Sequence, residues 1–279
     1  MVPDLASVLL SGAIGLALGI FGGGGSILAV PVLVLVTHLA PAGAVGTSLA
    51  MVGTTSLTAS YAHHRQGLVK PKVALLFGLS GVATSFLGAK LTGLVSGSVI
   101  MNAFAALMLV VGVGLLLGKN RIVTAPGEAP RGGAKPTAAV LAGAGVGLVT
   151  GFLGVGGGFL VVPALIAFAG LNMREAVGTS LLVIAINSAA GFVGHLGGGQ
   201  LDAGLIAVLT AAAVVGALVG ERFARHISTL RLRRGFGLLV VGVGVAVVLA
   251  LAYDGALAPD AKLMGATLRV QAGTVSASE

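Results

Sequence analysis

Hydrophobic and polar positions alternate along this chain on the scale of whole helices. Apolar runs cover Leu5–Phe21, Ile27–Leu39, Val45–Ala62, Val73–Leu94 and Val99–Gly118. A more polar connector, Lys119–Lys135, follows, with Pro126 and Pro130 inside it and Pro136 just beyond. The apolar series then resumes as Ala138–Leu153, Phe159–Gly170, Val177–Val193, Leu205–Val219 and Leu232–Ala252. A hydrocarbon core about 30 Å thick takes about 20 residues of helix to cross. The first two runs of each series fall short of that and are separated by glycine clusters, Gly22-Gly23-Gly24-Gly25-Ser26 and Gly154-Val155-Gly156-Gly157-Gly158. These short runs predict broken or re-entrant pieces, and the other three of each series predict spanning helices.

The two series are copies. Gly22 aligns with Gly154 and Pro31 with Pro163, an offset of 132 residues. In the same register Gly46-Thr47-Ser48-Leu49 returns as Gly178-Thr179-Ser180-Leu181, His63 as His195, Gly67 as Gly199, Gly88 as Gly220 and Phe104 as Phe236. Two glycine clusters, a proline, Gly-Thr-Ser and a histidine in one ungapped register mark an internal duplication. The expected organisation is a first transmembrane repeat over 1–118, a connecting loop over 119–137, a second repeat over 138–252 and a polar tail over 253–279.

Charge decides how the copies are oriented. If each glycine-broken stretch crosses once, the lysines and arginines divide almost evenly between the two sides. If each folds back as a hairpin, one side collects Arg65, Lys70, Lys72, the connector's cations, Arg174 and the arginines from Arg222 to Arg234. The other side keeps Lys90, Lys262 and Arg269. Short cytoplasmic loops carry the excess of Lys and Arg, which favours the hairpin. The predicted fold is therefore an all-α polytopic membrane protein of two inverted repeats. Each repeat is a glycine-broken helical hairpin plus three spanning helices, with both termini outside.

Composition supports this class. Of 279 residues 56% are hydrophobic and only 9% charged, with a mean hydropathy of +1.08, against about 25% charged residues in a soluble domain. The 47 glycines have no collagen period and suit helices that approach closely in lipid. The net charge of +8 reads as cationic loops rather than as a nucleic-acid surface. The absence of cysteine removes disulfides and thiolate chemistry. The opening Met1-Val2-Pro3-Asp4 lacks the basic region of a cleaved signal, so the first apolar run is expected to be retained.

Candidate chemistry starts at the glycine breaks. Non-helical backbone inside a bilayer survives where it is buried in protein or lines a watery cavity. Inverted-repeat transporters aim half-helix N-termini at anionic groups from such breaks. Gly24, Gly25 and Ser26, with Gly156, Gly157 and Gly158, are the expected anion-binding backbone, close helix packing without a ligand being the alternative. Thr47, Ser48 and Thr55 in the first copy, with Thr179, Ser180 and Asn187 in the second, offer side-chain donors to the same substrate. They also suit bonding to their own helices. His63 and His195 sit at equivalent helix ends, as interfacial residues or as titrating groups coupling transport to protons. Lys90 snorkels from the outer end of its helix. Asp202 and Glu175 are placed at segment ends, and Glu221 in a basic loop. With no carboxylate expected deep in a segment, an anionic or neutral substrate is favoured over cation–proton exchange. No nucleophile–base pair, metal-ligand spacing or cofactor motif is legible, which argues against an enzyme.

These residues resemble the TauE/SafE sulfite exporter family. The resemblance rests on Gly22–Ser26 with Pro31, Gly46-Thr47-Ser48, and His63 with Gly67, all repeated, and covers Gly12 to about Ala252. It implies a multi-pass inner-membrane transporter of sulfite, sulfonates or related small organic anions. The expected function is secondary transport, in the export direction, by alternating access at a central site between the repeats. The alternatives are a passive anion channel and a transporter of another small organic acid.

Overall fold

A computed structural model describes residues 4–37, 41–92, 95, 97–117, 136–153, 158–195 and 202–249. The connector and the tail lie outside these residues. Helices occupy α1 (Leu5–Phe21), α2 (Ser26–Thr37), α3 (Pro41–His64), α4 (Pro71–Thr92) and α5 (Gly97–Leu117). After the connector come α6 (Pro136–Leu153), α7 (Gly158–Ala167), α8 (Met173–His195), α9 (Ala203–His226) and α10 (Thr229–Leu249). No strand occurs among the described residues.

Local chemistry sets the helix starts. Pro41, Pro71 and Pro136 open α3, α4 and α6, where a missing N–H costs nothing. Asp4 caps α1 by accepting from the Ser7 N–H at 3.0 Å, and Asp202 caps α9 from Leu205 at 3.0 Å. At α8 the cap is reciprocal. Asn172 Oδ1 accepts from the Glu175 N–H at 3.0 Å, and Glu175 Oε2 accepts from the Asn172 N–H at 3.2 Å.

Among the described residues, five helices are long and apolar enough to cross a membrane: α4 over Pro71–Leu91, α5 over Val99–Leu117, α8 over Met173–Val193, α9 over Ala203–His226 and α10 over Thr229–Leu249. Helix α3, expected to span as well, is not one of the five. Large apolar side chains such as Leu5, Leu141 and Val110 stand exposed, the surface that lipid rather than water would cover.

Small residues bring the helices into backbone contact. A Cβ on Gly15 or Gly19 of α1 would strike the main chain at Ala213 or Ala217 of α9, and one on Gly216 of α9 would strike Gly12. Residue numbers rise together, so α1 and α9 run parallel. The same holds for α4 and α6, where Gly143 meets Phe77, Gly147 meets Gly81 and Gly151 meets Ser85. By contrast α3 and α8 run antiparallel: Gly178 lies against His63, Gly53 against Ser188 and Gly191 against Leu49. The α5–α10 pair is antiparallel too, with Gly237 against Leu116 and Gly244 against Met108. Lipid offers no hydrophobic drive between helices, so close contact of this kind is a main source of their association. Phe77, Phe104, Phe159 and Phe236 fill the larger core, and Phe104 meets Phe159 edge-on at 5.7 Å.

At one end of the bundle the loop after α3, the start of α8 and the end of α9 meet. Lys70 pairs with Glu175 at 3.1 Å, and Arg174 Nη2 donates to the carbonyls of Arg225 and Ile227 at 3.2 and 3.0 Å. The segments carrying Arg65, Lys70, Arg174, Arg222, Arg225 and Arg231 thus share one cationic end.

Candidate functional site

The glycine run after α1 does not continue a helix. Gly22 adopts φ +72° and donates its N–H to the Leu18 carbonyl at 2.8 Å, closing α1. That backbone region is open to glycine at little cost and disfavours other residues. Gly23–Gly25 then form a single 3₁₀ turn, and Ser26 starts α2 with its hydroxyl donating to the Gly23 carbonyl at 2.7 Å. A Cβ on Gly25 would press on the Ile14 carbonyl and Leu18, so the chain folds back along α1.

The second break arrives at the same place. Gly156 and Gly157 lie outside the described residues, but Gly158 opens α7 and is buried. Any Cβ on Gly23 would overlap the Gly158 carbonyl, and one on Gly158 would overlap the Ser26 hydroxyl. Gly22 abuts the Ser180 hydroxyl in turn. Gly24 and Gly25 are buried behind this contact, Gly24 against Phe236 and Leu239. Two half-helix starts and two hydroxyls, Ser26 and Ser180, therefore converge where the halves of the chain touch.

The remaining expected residues divide into satisfied and unsatisfied groups. Ser180 donates to the Val177 carbonyl at 2.8 Å, and Thr179 Oγ1 accepts from the Lys70 N–H at 3.1 Å. Thr47 and Ser48 are buried near the start of α3. Thr55 is fully buried with no partner for its hydroxyl, as are Ser56 Oγ and the buried Asn187 Oδ1. Because Gly53 faces Ser188, Thr54–Thr55 and Asn187 stand at one level of the α3–α8 seam. Beside them a groove of about 550 Å³ is lined by Thr54, Phe192, Ala203, Ile206, Ala207, Thr210 and Ala211. It lies towards the start of α9, away from the cationic end.

His63 belongs to neither group. It is 5% exposed at the cationic end, and neither ring nitrogen has a hydrogen-bond partner. His195 closes α8, and its side chain is outside the described residues.

Glu221 corrects the expectation that no carboxylate lies within a segment. Helix α9 runs on to His226, two turns past the apolar run that marked it, and carries Glu221 inward to 2% exposure. Its carboxylate accepts from Gln66 Nε2 and, on both oxygens, from Arg225 at 2.7 and 3.0 Å. Sequence reasoning missed Gln66, Glu221 and Arg225. The legible signal was spacing, because Glu221 continues the four-residue stripe Leu205, Leu209, Ala213 and Ala217, all buried.

Comparison with known proteins fits this architecture. The family model described as "Sulfite exporter TauE/SafE" matches residues 7–247. The chain belongs to the TauE/SafE family. A "Probable membrane transporter protein" of Xylella fastidiosa (strain 9a5c) is 34% identical over 246 residues, 85% of this chain and 92% of its own. "Probable membrane transporter protein YdhB" of Bacillus subtilis (strain 168) is 30% identical over 217 residues, 77% and 88% of the two chains. A third relative, "Probable membrane transporter protein MJ0441" of Methanocaldococcus jannaschii, is 26% identical over 198 residues, 68% of this chain and 71% of its own. No solved structure matches the chain. As a member of TauE/SafE the protein is a membrane transporter.

Proposed function

We propose that this TauE/SafE protein exports small anions, sulfite or sulfonates foremost, across the inner membrane by alternating access. The observation that carries the reading is the meeting of the two glycine breaks, Gly23 on Gly158, beside Ser26 and Ser180. Backbone N–H groups at helix starts favour anions, and here two such starts approach one point from different halves. In this conformation the breaks touch, so an anion would enter as the halves part.

Inverted repeats are part of the proposal. At the offset of 132 residues α3 corresponds to α8 and α5 to α10, and both pairs run antiparallel. Equivalent helices pointing oppositely fit halves related by a twofold axis in the membrane plane. With the cationic end cytoplasmic, the groove near Thr54 and Thr210 lies towards the outside. Thr47, Thr55 and Asn187 would complete the substrate path, with protons as the coupling ion and His63 and His195 as the titrating candidates.

Thermal-shift measurements on purified protein with sulfite, sulfate, taurine and acetate test the substrate class. Selective stabilisation by the sulfur anions supports the reading, and an equal response to all four anions counts against it. A passive anion channel is the runner-up, favoured by the same breaks. Flux in liposomes that never saturates with sulfite would select it.

A further inference from the structure

We propose that His63 and Glu221 form a proton-binding site that latches the cationic end, with His63 taking the proton and Glu221 the counter-charge. The two residues line one cavity of about 20 Å³, room for a single water. His63 reaches it with both ring nitrogens unpartnered, the Gly19 backbone approaching the ring without reaching hydrogen-bond geometry. An unpartnered buried imidazole is costly, and in its neutral form one ring nitrogen keeps a lone pair that can take a proton. Glu221, 2% exposed, is held by Gln66 from the loop after α3 and by Arg225 one turn along α9.

The charged groups facing this ring are few. From α9 come Glu221 and Arg225, and from α8 comes Arg174, whose Nε is buried without a partner. The loop contributes Gln66 and Leu68, α1 contributes Ile20, and α10 contributes Leu232, none of them ionisable. His64 and Arg65 point to the exposed side. Among the described residues that line the cavity, Glu221 is the one carboxylate available to a charged His63, and it is already holding Gln66 and Arg225. Those three hydrogen bonds leave a lone-pair site of the carboxylate open. A proton taken by His63 from the aqueous phase at the cationic end adds an ion pair between α3 and α9 to the Gln66 bridge and tightens the seal between the halves.

The repeat register makes the device one-sided. His63 has its counterpart in His195, but Gln66, Glu221 and Arg225 correspond to Gly198, Ala89 and Gly93. Only one end of the duplication carries the carboxylate, as a proton-sensitive seal on one face of a transporter requires.

Coupling to flux rests on the anion reading above, whereas the latch itself is testable without substrate, so the two fail separately. Ala224 lines the cavity and is buried, and Ser228 is exposed. In this cysteine-free chain, Ala224→Cys and Ser228→Cys are labelled with N-ethylmaleimide in liposomes at pH 8 and pH 5. The ratio of the two rates cancels the ordinary loss of thiolate. It is expected to fall several-fold on acidification, and to become flat in His63→Gln and in Glu221→Gln. A flat ratio in the parent, or a retained acid response in whichever variant folds, overturns the proposal.

Discussion

Gly23 and Gly158 touch backbone to backbone: the Gly158 carbonyl fills the space where Gly23 would carry a Cβ, and the Ser26 hydroxyl fills that of Gly158. This contact joins halves of the chain that are far apart in sequence, and it does so at the 3₁₀ turn that leads into α2 and at the first residue of α7. Gly23→Ala is expected to cost about 1–3 kcal/mol through overpacking and to abolish transport. Gly145→Ala on α6, where a Cβ meets nothing within 4 Å, is expected to be neutral or to stabilise by about 0.5–1 kcal/mol as helical glycine is removed. Melting temperature in detergent together with sulfite flux in liposomes reads both.

Thr55 and Asn187 separate function from stability. Each buries a polar oxygen without a partner, a cost of about 1–3 kcal/mol that packing alone gives no reason to keep. Thr55→Val is therefore expected to hold or raise the melting temperature while lowering sulfite flux. Unchanged flux would assign the hydroxyl to neither role.

Arg225 and Arg222 lie on the same helix but only Arg225 grips the buried Glu221. Arg225→Gln should lower the melting temperature more than Arg222→Gln, because it strips two of three hydrogen bonds from a buried carboxylate. Equal effects would mean that the pair contributes no more than surface charge.

Orientation is testable by labelling from one side. Leu5 is exposed at the start of α1, and Lys90 and Arg231 are both exposed. Under the inverted arrangement Leu5→Cys and Lys90→Cys react with a membrane-impermeant maleimide from outside intact cells, and Arg65→Cys and Arg231→Cys only after lysis. Labelling of Arg65→Cys and Leu5→Cys from the same side would remove the hairpin topology.

The linear pattern was enough to define the helices. Each of the ten apolar runs corresponds to a helix among the described residues, with its start shifted by only a few residues, because membrane helices are set by hydropathy and by local caps such as Pro41, Pro71 and Asp202. The glycine clusters were legible as breaks for the same reason: Gly22 and Gly23–Gly25 cannot sustain the helix that their neighbours form. The family was legible from the repeated motifs themselves.

What only the tertiary structure decided was partnership. Nothing in sequence order says that Gly23 meets Gly158, or that Thr179 is occupied by the Lys70 amide while Thr55 is left unpaired. Glu221 reads as a loop charge in a run with five arginines until α9 is seen to carry it inward against Gln66. Hydropathy reports how each residue partitions, summed along a helix. Whether a polar atom within that helix is satisfied depends on which other helix lies against it, and that is fixed by packing across the whole bundle.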